Sequence, residues 1–198
     1  MNLPNILTLL RVVLTFLAAA LMFVDIQYFA TSAFVVYFVA GITDWFDGYF
    51  ARKYNIVTTF GKFMDALSDK IMIVTMFMTL FALNLYHQWT FFALVCAIIS
   101  MTREFYISGV RMLASKSGVV IAAETVGKYK AAFQMYSIGS IICAFALHED
   151  FAYLNCAFYQ LFYDLCFYGG IATLAISTVL SIISAVSYSV KYSHLQKQ

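Results

Sequence analysis

Long apolar runs recur along the whole 198-residue chain, and nothing else in it limits the fold so strongly. A helix needs about 20 apolar residues to cross a hydrocarbon core of about 30 Å. Six such runs can be placed, over Leu7–Val24, Tyr28–Phe50, Phe60–Tyr86, Trp89–Arg111, Ile121–Leu147 and Leu165–Val190. With 63% hydrophobic and 11% charged residues, the chain lies far outside the soluble range. The expected fold is all-α: a polytopic bundle of six transmembrane helices forming a single domain over residues 1–198. The sequence shows no internal repeat or low-complexity tract, and its one proline is Pro4.

Short cytoplasmic loops collect Lys and Arg, so the basic residues fix the expected orientation. Arg52, Lys53 and Lys62 bracket the link between spans two and three, Arg111, Lys116 and Lys128 the link between four and five, and Lys191 and Lys197 follow span six. The opposite loops hold Asp25, His87, His148, Glu149 and Asp150 and no Lys or Arg. Both termini are therefore expected in the cytoplasm. No basic residue precedes the first apolar run, so it reads as a retained span rather than a cleaved signal. A net charge of +2 gives no reason to expect nucleic acid. Cys96, Cys143, Cys156 and Cys166 lack CxxC spacing and read as packing residues.

Within this apolar chain the stretch "DWFDGYFARKYNIVTTFGKFMDALSD" carries four aspartates. Asp44 and Asp47 are three apart and Asp65 and Asp69 four apart, so each pair shares a helix face, and the turn between the two spans is cytoplasmic. An Asp at a helix centre in the membrane costs about 2.5–3.5 kcal/mol, and like charges add repulsion. Salt bridges from Lys62 or Lys70 would account for one pair. Four acids exceed what those lysines balance, whereas a hard divalent cation accepts several carboxylate oxygens, which suits Mg2+ or Mn2+, with room for two ions. Gly48 and Gly61 flank the acidic faces, where they serve helix packing or admit a ligand. Arg52, one turn beyond Gly48, serves as an interfacial anchor or grips phosphate oxygens. Metal, phosphate grip and ligand space together point to phosphoryl transfer at the membrane surface.

The pattern Asp44-x2-Asp47-Gly48-x2-Ala51-Arg52-x8-Gly61-x3-Asp65-x3-Asp69 resembles, without a gap, the signature of the CDP-alcohol phosphotransferase family. The resemblance implies a six-span, dimeric enzyme that displaces CMP from a CDP-linked substrate by attack of an alcohol. It implies one metal on Asp44, Asp47 and Asp65, a second held with the help of Asp65 and Asp69, and Asp69 as general base on the acceptor hydroxyl. Gly48, Arg52 and Gly61 would border the CDP group. Asn5, Thr8 and Arg11, at three-residue steps near the N-terminus, would lie beside the nucleotide, although a helix cap or an interfacial helix explains Asn5 and Thr8 as well.

A second charged cluster bears on the alcohol. Arg103 and Glu104 lie well within span four and Arg111 near its end, with Glu104 and Arg111 seven apart on one face. "ETVGKYKAAFQM" adds Lys128 and Lys130, followed by Gln134. Even if Glu124 pairs with Lys128, the bases Arg103, Arg111, Lys128 and Lys130 outnumber Glu104 and Glu124, which favours an anionic acceptor whose phosphate they would bind. "NLPNILTLLR", "REFYISGVRMLA" and "VIAAETVGKYKAAFQM" resemble the branch of the family that uses CDP-diacylglycerol as donor and glycerol 3-phosphate as acceptor. That likeness implies a bacterial inner-membrane enzyme with its active site facing the cytoplasm. Val110 and Met112 stand where Leu and Glu are expected, and Ala131 where Thr is expected. The nearest rival is a branch that takes phosphatidylglycerol as acceptor. An ion-coupled transporter is a more distant one, since repeats and broken helices are absent from the pattern. The aromatic segment from Tyr153 to Tyr163 is expected to form an interfacial belt.

Overall fold

The computed structural model describes residues 3–24, 26–53, 59–116, 125–154 and 156–191, and every regular element among them is helical. Six α-helices follow in order: α1 (Leu3–Leu21), α2 (Phe29–Lys53), α3 (Thr59–Ala82), α4 (Thr90–Lys116), α5 (Thr125–Phe151) and α6 (Ala157–Lys191), with short 3₁₀ turns at His87–Trp89 and Ala152–Leu154. Each expected span coincides with one helix. The largest difference is at α6, which begins at Ala157 rather than Leu165. Residues 157–163 of the aromatic segment are thus its first two turns. There Phe158 stacks on Phe162, and further along Tyr163 stacks on Phe167, which are the i, i+4 contacts of a helix.

Three helical stretches are long and apolar enough to cross a membrane: His87–Met112, Thr125–Phe151 and Ala157–Lys191. Shorter apolar stretches cover Ile6–Leu21 and Phe29–Thr43, the latter ending where Asp44 begins the acidic run. The chain is an integral membrane protein, and its helices are amphipathic in the inverse sense to a soluble bundle. On α1 the buried stripe is Thr8, Arg11, Thr15, Ala18 and Met22, while Leu10, Val13, Phe16 and Leu17 face outward. Hydrocarbon tolerates apolar side chains on the outside and leaves polar groups only the interior, where partners exist.

The chain divides into two compact units. The first comprises Met1–Leu85 with Ile138–Phe167. In it α1 packs on both α2 and α3. The far end of α2 is fastened to α5: Phe29 meets Phe145 edge-on, Tyr28 lies against Phe151, and Tyr37 packs where Gly139 has no side chain. Asp150 accepts hydrogen bonds from the Thr31 amide and the Thr31 hydroxyl, both at 2.6 Å. It therefore caps the first turn of α2 from another helix, placing a carboxylate where the helix dipole favours one. α3 ends in a Schellman turn, with Asn84 left-handed (φ 51°), the Leu85 amide on the Leu80 carbonyl and the Asn84 amide on the Phe81 carbonyl.

The second unit comprises Tyr86–Ser137 with Tyr168–Gln198. Its α4 and α6 segments run in the same direction, joined in register by Ser100 to Ser181, Arg103 to Ser184 and Tyr106 to Ser189. α5 joins α6 through the Ser137 hydroxyl, which donates to the Gly170 carbonyl at 2.7 Å. Serine at these contacts keeps helices close and supplies the interhelical hydrogen bonds that hold membrane bundles together. The packing reading of the cysteines fits the buried Cys96 and the half-buried Cys143 and Cys166, whose Sγ atoms are 3.8 Å apart in the first unit, but not Cys156, which is exposed.

Replacing Asp150 by Ala removes the α2 cap and is expected to cost about 1–2 kcal/mol. It should appear as a lower thermal midpoint of the protein in detergent, with Asp150→Asn, which keeps an acceptor, losing less.

Candidate functional site

Asp65 and Asp69 lie one turn apart on α3, and the cation that answers them comes from α1. The Arg11 Nη1 atom donates to Asp69 Oδ1 at 2.7 Å and to Ser68 Oγ at 3.0 Å, and both Nη atoms lie 3.5 Å from Asp65 Oδ1. Ser68 in turn donates to the Asp65 carbonyl at 2.9 Å. The Arg11 side chain is fully buried, whereas those of Asp65 and Asp69 are 51% and 46% exposed. The acids thus face open space on one side and a guanidinium on the other. Salt bridging by Lys62 or Lys70 was the alternative to a metal at these acids; among the described residues Arg11 pairs with both. The Lys62 side chain lies outside the described residues.

Asp44, Asp47, Gly48 and Arg52 fall within α2, but their side-chain surroundings lie outside the described residues, as do those of Asn5 in α1. Thr8 is buried on the α1 stripe one turn before Arg11, and Gly61 lies one turn before Asp65. Among the described residues no group of three or more His, Cys, Asp or Glu side chains gathers. The donor chemistry present fits a divalent ion all the same. Asp65 and Asp69 are hard oxygen ligands on one helix face, each half-open, beside a helix that contacts α1 as α2 does.

The second unit holds its own charge cluster. Glu104 Oε1 accepts from Lys130 Nζ at 2.7 Å and from Arg103 Nη1 at 3.3 Å, and Arg103 Nη2 reaches the Ser184 hydroxyl. Lys130 is fully buried and Arg103 nearly so. Gly127, one turn before Lys130, makes room for the guanidinium: a Cβ there would lie 3.3 Å from Arg103 Nη2. Among the described residues two cations thus share one carboxylate. The spacing that set Glu104 on the face of Arg111 leads elsewhere. Arg111 is exposed, donates to the Tyr188 hydroxyl at 2.8 Å and lies over its ring at 5.7 Å. Lys128 is exposed, and Glu124 lies outside the described residues.

Sequence reasoning placed Arg11 beside the nucleotide and missed its bond to the acids, and it passed over Ser68, Ser184 and Tyr188. A signal for the first was available: four acids against few nearby lysines require a cation from another span. The serines carry no signal that distinguishes them from ordinary packing residues.

A family model described as CDP-alcohol phosphatidyltransferase matches residues 1–180. The chain is 32% identical to a CDP-diacylglycerol–glycerol-3-phosphate 3-phosphatidyltransferase of Haemophilus influenzae over 191 residues, covering 94% of this chain and 91% of the relative. A protein of the same name from Bacillus subtilis is 33% identical over 153 residues, covering 71% and 76%. Another from Escherichia coli K12 is 30% identical over 189 residues, covering 94% and 92%.

The Arg11 contact can be measured by a double-mutant cycle in detergent. Arg11→Met and Asp69→Asn should each lower thermal stability, and the double variant should be less destabilised than their sum, with a coupling above about 1 kcal/mol.

Proposed function

The chain belongs to the CDP-alcohol phosphatidyltransferase family, and on that premise we propose that it transfers the phosphatidyl group of CDP-diacylglycerol to glycerol 3-phosphate. The products are phosphatidylglycerophosphate and CMP, so the activity is that of a phosphatidylglycerophosphate synthase. The observation that supports an anionic acceptor is that, among the described residues, Arg103 and Lys130 share the one carboxylate of Glu104. A neutral alcohol would bring these two cations no further anion in a low-dielectric interior, whereas a phosphomonoester supplies one.

In this reading Asp44, Asp47, Asp65 and Asp69 hold Mg2+ or Mn2+, with Gly48, Arg52 and Gly61, and Asn5 and Thr8 at the N-terminus, bordering the CDP group. A divalent ion held there would supply positive charge to the pyrophosphate and to the CMP leaving group. Asp69 takes the proton of the acceptor hydroxyl as its oxygen bonds to the lipid-side phosphorus and the bond from that phosphorus to the CMP oxygen breaks. Arg11 fixes the Asp69 carboxylate from the buried side, so its orientation does not depend on solvent. Arg103 and Lys130 take the acceptor phosphate, joined by Arg111 and Lys128 from the exposed side. No covalent enzyme intermediate is needed.

The reading also takes all six helices as spans, with both termini and the aspartates on the cytoplasmic side. In a variant whose four native cysteines, including the exposed Cys156, are replaced by serine, a cysteine introduced as Lys197→Cys should then react with an impermeant maleimide in inside-out vesicles and stay unlabelled in right-side-out ones; the opposite pattern inverts the topology.

Purified protein in mixed micelles with CDP-diacylglycerol, glycerol 3-phosphate and Mg2+ should release CMP and form phosphatidylglycerophosphate. Chelation should stop the reaction, and Asp69→Asn should lower kcat by at least roughly a hundredfold while the protein stays folded. Release of CMP with phosphatidylglycerol alone, or with no alcohol at all, would overturn the proposal.

A further inference from the structure

We infer that the side-chain amide of Gln134 reads the free secondary hydroxyl of the acceptor, which makes it a specificity-determining residue of the reaction proposed above, on which this inference rests. Gln134 is fully buried in α5, and neither its amide oxygen nor its amide nitrogen has a hydrogen-bond partner. Buried amides are paired in nearly all proteins, and inside a membrane bundle no bulk water stands in for a missing partner. A glutamine that merely joined two helices would show the bond that joins them. Buried serines of the same unit do show theirs: Ser137 donates to the Gly170 carbonyl, and Ser177 to the Leu174 carbonyl.

The surroundings say what kind of ligand would complete the amide. Gln134 lies one turn beyond Lys130 on the same helix face. Lys130 and Arg103 share Glu104, and the Arg103 Nε atom is itself buried without a partner. The unbonded groups that Arg103 and Gln134 present are therefore a guanidinium N–H, an amide N–H pair and an amide oxygen. A phosphate offers only acceptors, so it satisfies the cations and leaves the amide oxygen unmet. A hydroxyl both donates and accepts, and an amide is its complement. Glycerol 3-phosphate carries both kinds of group: a phosphate for the cations, a primary hydroxyl that attacks, and a secondary hydroxyl between them that takes no part in bond making. That middle hydroxyl is assigned to Gln134.

The test compares two acceptors that differ only there, glycerol 3-phosphate and 3-hydroxypropyl phosphate, as kcat/KM in wild-type protein and in Gln134→Met. Wild-type protein should prefer glycerol 3-phosphate by roughly ten- to a hundredfold, the size expected when a site built for a hydroxyl receives an analogue without it. In Gln134→Met that ratio should fall towards one, through loss of activity on glycerol 3-phosphate, with KM for CDP-diacylglycerol unchanged. Equal use of both acceptors by wild-type protein overturns the inference whether or not the variant folds. A folded variant that keeps the wild-type ratio overturns it too, as does one that loses both acceptors in parallel, since that pattern assigns Gln134 to packing. Turnover of neither phosphate by wild-type protein, with another alcohol consumed, refutes the reaction itself rather than the role of Gln134 within it.

Discussion

The ion pair between Arg11 and Asp69 joins α1 to α3 and compensates a guanidinium that is wholly buried. A guanidinium deprived of water requires an anion within contact distance, and two carboxylates one turn apart require a cation or they repel each other. Arg11 answers both needs at once, through Asp69 at 2.7 Å and Asp65 at 3.5 Å. The second unit meets the same requirement with the signs exchanged, one carboxylate between two cations. Each unit is thus organised about a charge that must be compensated internally, and the serine contacts and apolar exteriors follow from keeping everything else compatible with lipid.

The asymmetry of the first unit gives it chemical potential. Arg11 is wholly enclosed, yet the acids it holds are half-open. An acid fully wrapped by its counter-ion would be a structural pair and nothing more. Here one side of each carboxylate is fixed by the protein and the other faces space, the arrangement expected of groups that keep a defined orientation while remaining able to bind or accept a proton.

Hydropathy made the helices legible in advance, because crossing a hydrocarbon layer imposes a length and a composition that few other demands mimic. It failed at the start of α6, where aromatic residues and Asp164 lower the apolar score although Phe158 and Phe162 already stack at helical spacing. The acidic signature was legible as a motif since its spacing lies within two helices. The partner of Asp65 was not, because Arg11 is 54 residues away and only tertiary packing brings it there. Helical spacing likewise set Glu104 on the face of Arg111 without naming its partner; the fold pairs it with its neighbour Arg103 and with Lys130 of another helix and gives Arg111 to Tyr188. Local periodicity identifies which residues share a face. It does not identify what that face meets.

The separation of Arg11 from its acids also has a consequence in time. At about 5–20 residues per second of synthesis, the 54 residues between Arg11 and Asp65 take roughly 3–11 s to emerge. During that interval α1 carries a buried-type cation whose α3 carboxylates are not yet made. By contrast, the α6 hydroxyls of Ser177 and Ser181 bond to carbonyls of their own helix and need no later arrival. The nascent first segment therefore has to wait near the headgroups or the insertion machinery until the third is delivered, so completion of this half of the protein is set by the ribosome's pace rather than by the lipid.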